Sequence, residues 1–172
     1  VVSALLPYEG PVQRMLLAHK EHGRLQLTRP LGGALAGAVL VHGRRPVLLC
    51  PVPSSPAAVR ARGHDHALRL AQAAARALQS QGVPAHAARL LVPTRAVADQ
   101  AGLTANERAT NLHGALRGTG VPGPLVVVVD DVVTTGATLV EAARALVRQG
   151  HSVVGASVVA ATTRRRRSPV RV

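Results

Sequence analysis

Residues 123–139, GPLVVVVDDVVTTGATL, set three features in a row. An uninterrupted apolar run ends in two adjacent carboxylates, a short Thr/Gly loop follows, and then a helical pattern begins. The run 125–129 is β-branched and too continuous for a strand with one wet face. It predicts a strand buried on both sides within a parallel sheet. Asp130 and Asp131 then emerge at its carboxyl end, where open α/β sheets place their ligand sites. Thr134, Thr135, Gly136 and Thr138 offer hydroxyls and backbone N–H groups at a helix N-terminus, which suits a phosphate. An ordinary buried strand with a polar exit loop is the alternative reading of the same residues.

The rest of the composition agrees with this architecture. At 172 residues the chain has the size of one domain. Hydrophobic residues make up 47%, yet there is one Tyr and no Phe or Trp, so the core must be Val, Leu and Ala. That suits helices packed on a parallel sheet and argues against an aromatic platform for single-stranded nucleic acid. Lys and Arg total 21 against 8 Asp and Glu, a net charge of +13, and Lys20 is the only lysine. This balance favours anionic partners, although an Ala/Arg/Val/Gly-rich chain nearly free of lysine also fits biased coding. The single Cys50 excludes a disulfide framework or a cysteine zinc site within the chain. No run is long enough to span a membrane and no signal-peptide layout opens the chain, so a cytoplasmic protein without membrane insertion is expected.

In order, residues 3–8 read as a short edge strand, and Glu9-Gly10-Pro11 opens a helix carrying Val12, Leu16 and His19, with Gly23 as its stop. Lys20 reads as a last-turn cation answering the helix dipole. A second helix over 31–41 places its glycines at close contacts, and 47–50 is a buried strand. The prolines of PVPSSP (51–56) then break regular structure. Asp65 caps a helix with Leu68, Ala71, Ala75 and Leu78 on one face. Arg60, Arg62 and His64 precede it, three groups able to neutralise a pyrophosphate, while His64 and His66 also read as solvated. A strand is expected over 89–92. Residues 93–116 lack long apolar periodicity, with a capping box at Thr104 and Glu107 opening a helix from 105 to about 111. Arg95, Gln100, Arg108 and Asn111 lie along this polar excursion, which has the character of an active-site lid. A helix over 137–149 and a strand over 152–160 complete an α/β domain at 1–163 with a mainly parallel central sheet flanked by helices. Residues 164–172 form a basic tail without apolar periodicity, partly disordered by composition, and Arg164 to Arg167 suit nucleic acid.

VVVVDDVVTTGAT resembles the phosphoribosyl-pyrophosphate (PRPP) signature of type I phosphoribosyltransferases. PYEGPVQRMLLAHKEHG, PVPSSPAAVRARGHDHALRLA and RAVADQAGLTANERATNLHGAL resemble, in order, segments of the ComF/GntX branch, associated with DNA uptake and utilisation. Three departures stand out. His64, Asp65 and His66 replace the branch's aromatic-Asn-Gln, Val97 replaces a Thr, and the four-cysteine zinc ribbon of most relatives is not within these residues.

The resemblance implies that Asp130 and Asp131 act at the ribose hydroxyls of PRPP, directly or through Mg²⁺. It implies that Thr134, Thr135, Gly136, Ala137 and Thr138 cradle the 5′-phosphate. Pro51, Val52, Pro53 and Ser54 would hold pyrophosphate, with Arg60 or Arg62 assisting. The acceptor is not written in the sequence. Two classes stay open: transfer of phosphoribose to a nucleobase-like acceptor in nucleotide salvage, or a non-catalytic PRPP-sensing or DNA-binding assembly protein of the competence machinery. Partners left open are single-stranded DNA, a DNA-uptake helicase and a second copy of the chain.

Overall fold

A computed structural model describes residues 1–95 and 105–162. Its strands are β1 (Val2–Pro7), β2 (Val47–Pro51), β3 (Ala85–Ala87), β4 (Leu91–Pro93), β5 (Leu116–Gly118), β6 (Leu125–Val133) and β7 (Val153–Ala161). Its helices are α1 (Gly10–Glu21), α2 (Thr28–Leu40), α3 (Pro56–Arg62), α4 (His66–Gln79), α5 (Ala105–Leu112) and α6 (Ala137–Arg148). Five strands form one sheet in the order β1-β7-β6-β2-β3, every pair parallel. The expected α/β architecture, a mainly parallel sheet flanked by helices, is the one observed.

β6 lies at the centre of this sheet, and its side chains alternate between two cores. Val127 and Val129 join Leu16, Leu35, Leu70 and Leu78 beneath α1, α2 and α4. Val126 and Val128 join Leu116, Leu139 and Leu146 beneath β5 and α6. All four valines are fully buried, which is why the run shows no polar alternation. Gly32 lets α2 approach α4, since a Cβ there would collide with Ala73. No helix among the described residues is long and apolar enough to cross a membrane.

Several boundaries differ from expectation for identifiable reasons. The carboxylates do not follow the strand but lie within it, because β6 keeps pairing with β7 as far as Val133. The proline-rich loop ends sooner than its composition suggests. Pro56 takes the first position of α3, where its missing N–H costs nothing, and Ser55 caps that helix by accepting from the Ala58 N–H at 3.2 Å. The strand expected over 89–92 is instead Leu91–Pro93, and it pairs antiparallel with β5 outside the main sheet. The unanticipated β3 occupies the sheet edge beside β2. On α4 the core face carries Leu70 rather than Leu68.

Candidate functional site

Because all five strands run the same way, their carboxyl ends share one side of the domain. β2 ends at Pro51 while β6 continues to Val133, so the sheet has a step there. A cleft of about 500 Å³ opens over it. Tyr8 closes one side, just beyond β1, and Lys20 and Glu21 reach in from the end of α1. Val52, Pro53, Ser54 and Ser55 form another wall with Arg62, while His66, Asp130, Asp131 and Thr134 line the floor.

Asp131 shares the parity of Val127 and Val129, and it meets α1 on their side of the sheet. Its Oδ2 accepts from Lys20 Nζ at 2.9 Å, and the His66 Nε2 lies 3.5 Å from the same oxygen. Its Oδ1 accepts from the Val132 N–H at 2.8 Å. Asp130 Oδ1 in turn accepts from the Asp131 N–H at 2.8 Å. His66 opens α4 and Arg62 closes α3, four positions apart across the left-handed Gly63. Arg62 Nη1 approaches His66 Nδ1 at 2.9 Å. A guanidinium only donates, so Nδ1 accepts and the ring proton sits on Nε2, facing Asp131. Arg62 also pairs with Glu21 at 3.5 Å.

These contacts separate the two acids. Burial and the adjacent Asp131 charge push Asp130 well above the usual carboxylate range. Burial would raise Asp131 too, but the His66 ring and the Lys20 ammonium outweigh it and hold that carboxyl far below. Burial likewise opposes the charge of Lys20, and Asp131 more than offsets it. The two adjacent carboxyls are thus pushed in opposite directions, Asp131 down by its cationic partners and Asp130 up by burial and its neighbour's charge.

Asp130, Asp131 and His66 bring ligand atoms within 4.8 Å of one another. With the ring proton on the nitrogen facing Asp131, the available donors are carboxylate oxygens, and such a hard donor set fits Mg²⁺. Beyond Thr134 the chain turns at Gly136, whose φ of 81° is open to glycine and strained for other residues. Gly136 caps α6 without a side-chain hydrogen bond, and the first turn of α6 holds no acid. The Ala137 N–H makes a long 3.4 Å bond to Thr135 Oγ1, and the helix dipole at this turn favours an anion.

The cleft gathers Asp130, Asp131, Thr134, Val52, Pro53, Ser54 and Arg62. Thr135, Gly136, Ala137 and Thr138 continue directly from its rim. Pro51 is the buried end of β2, and Arg60 is exposed and does not line the cleft. Arg95 ties the excursion to itself, donating to the Asn111 carbonyl at 2.6 Å, rather than reaching the floor. Gln100, the Arg108 side chain and the tail 164–172 lie outside the described residues.

Sequence reasoning passed over Lys20 and His66. Lys20 does not merely answer a helix dipole, and His64 and His66 are buried rather than solvated. Two signals pointed to Lys20: it is the sole lysine of an arginine-rich chain, and it lies in the segment PYEGPVQRMLLAHKEHG, where the resembling branch has a recurring Tyr, Gly and later Lys.

A profile of the phosphoribosyl transferase domain matches residues 65–171. Among curated proteins, the DNA utilization protein YhgH of Escherichia coli strain K12 is 48% identical over 62 residues. The proteins of the same description from Shigella flexneri and Escherichia coli O157:H7 match to the same extent. The matched stretch covers 36% of this chain and 27% of each of those relatives.

Proposed function

We propose a function from the premise that this chain belongs to the phosphoribosyl transferase domain family. Its cleft binds PRPP together with Mg²⁺. The observation that carries this reading is the pairing of Asp130 and Asp131 on the cleft floor, between a basic wall at Arg62 and the glycine turn that starts α6. The acids suit the ribose hydroxyls, the α6 turn suits the 5′-phosphate, and Ser54, Ser55 and Arg62 suit the pyrophosphate.

In the reaction this arrangement favours, the bond between the anomeric carbon and pyrophosphate breaks, and a nucleophile of the acceptor bonds to that carbon. Positive charge develops on the sugar as the leaving group departs, and the ionised Asp131 beneath it opposes that charge. Arg62 holds the departing oxygens by charge-assisted hydrogen bonds. Bound Mg²⁺ supplies further neutralisation of the pyrophosphate, held by Asp130 and Asp131.

A second reading is kept because the matched relatives are described as DNA utilization proteins. In it the cleft senses PRPP without turnover, and the chain works in DNA uptake beside single-stranded DNA, a helicase or a second copy of itself. Calorimetric titration with PRPP and Mg²⁺ tests the shared premise, which requires saturable one-to-one binding. Pyrophosphate release with any of a panel of nucleobases selects the transferase. No turnover, with salt-sensitive DNA binding that depends on Arg164 to Arg167, selects the second reading.

A further inference from the structure

Lys20 is the only lysine among 21 lysine and arginine residues, and it stands where a cation would be expected to sit. Its Nζ is 2.9 Å from Asp131 Oδ2, its side chain is 31% exposed toward the cleft, and Asp131 is only 8% exposed. An ammonium is a compact point charge on a flexible stem, closer in character to a metal ion than the planar guanidinium used everywhere else in the chain. Both oxygens of Asp131 are already engaged, Oδ2 by Lys20 and Oδ1 by the Val132 N–H. A divalent cation approaching Oδ2 therefore competes with Lys20 for that oxygen.

We infer, resting on the PRPP reading above, that Lys20 makes divalent-cation binding conditional on the polyphosphate. In the free protein it neutralises Asp131, and when the metal arrives with PRPP it transfers to pyrophosphate oxygens. Charge balance dictates the direction. Asp131 is buried and cannot be left without a counterion, so Lys20 leaves only in exchange for another cation. A bare divalent ion would bring two further positive charges beside Lys20 and Arg62, more than Asp130, Asp131 and Glu21 together can balance. An ion carried by pyrophosphate brings its own negative charge, and that charge receives the displaced ammonium. Lys20 is thus a binding residue for the leaving group as well as a guard on the metal site.

The test uses Mn²⁺ as the probe, followed by electron paramagnetic resonance of the free ion, with the wild type, Lys20→Met and Lys20→Arg. Without PRPP the wild type and Lys20→Arg should bind Mn²⁺ at least about tenfold more weakly than Lys20→Met. With PRPP and Mg²⁺, calorimetry should show the order reversed, Lys20→Met binding about tenfold more weakly than wild type. Tight one-to-one Mn²⁺ binding by the free wild type overturns the inference, and this measurement needs no variant to fold. Equal Mn²⁺ binding by folded Lys20→Met and wild type overturns it too. Either result leaves PRPP binding itself intact. If instead the wild type fails to bind PRPP with Mg²⁺, the PRPP reading fails, and the inference falls with it.

Discussion

His19 is enclosed by its own layer of the fold. Its Nε2 lies 3.0 Å from Thr28 Oγ1, and its ring meets that of His64 edge-on at 5.9 Å. Burial, with His64 and His66 nearby, lowers its pKa from 6.5 to about 4. A histidine whose folded pKa is depressed contributes stability in full above 6.5 and loses it as the pH falls toward 4, a span of at most about 3 kcal/mol. Urea denaturation at pH 7.5 and 4.5 should therefore show a larger loss for the wild type than for His19→Gln, which cannot titrate. Equal losses would remove His19 from the account. At this scale the sequence was a poor guide. Lys20 touches a carboxylate 111 residues away, and His66 meets the same carboxylate from another distant element, so neither contact has a local pattern. Arg62 and Asp131 were legible because each sits in a stretch with its own chemical signature.

Elements are held by pairs of helices and strands meeting at defined residues. Glu141 of α6 accepts from the Leu116 N–H at 3.1 Å and takes Arg144 through both of its oxygens, at 2.6 and 2.7 Å. It thereby fastens β5 onto α6. Burial works against its charge, but Arg144 and the Leu116 and Gly114 N–H groups hold the carboxyl below its ordinary value. Glu141→Ala leaves the Leu116 N–H without its acceptor and should cost about 2–3 kcal/mol in chemical denaturation. The gap between variant and wild type should narrow as the pH falls through the carboxylate range and Glu141 gains its proton. Between α2 and α4, Gly32→Ala should cost about 1–3 kcal/mol through its collision with Ala73, and Ala73→Gly in the same chain should recover part of it. A double mutant no more stable than the sum of the singles predicts would place the strain elsewhere.

Long elements were legible and short ones were not. β6, β7, α4 and α6 have nine or more residues, enough for periodicity to declare itself. β3, β4 and β5 have three residues each, too few to show alternation. α3 was concealed by prolines, although Ser55-Pro56 with Gly63 behind it is a start and stop signal.

The whole molecule is a parallel sheet without aromatic bulk, so its two cores depend on close contact of Val, Leu and Ala. Cys50 lies within one of them, fully buried, and burial pushes its thiol up to about 11. Native protein should therefore resist iodoacetamide at pH 8 and react with it only after unfolding in guanidinium. Rapid alkylation of the folded chain would mean that this core opens readily. At this scale composition and one motif were enough. An apolar strand ending in two acids implied a buried parallel sheet with its site at the carboxyl ends, and the cleft lies there.

The account turns on whether Asp130 and Asp131 serve a phosphoribosyl ligand. Calorimetric titration of PRPP with Mg²⁺ into the wild type and into Asp130→Asn/Asp131→Asn tests this, with circular dichroism showing that the variant stays folded. The account predicts one-to-one binding by the wild type and loss of at least about two orders of magnitude in affinity for the folded variant. Unchanged affinity in that variant would contradict it.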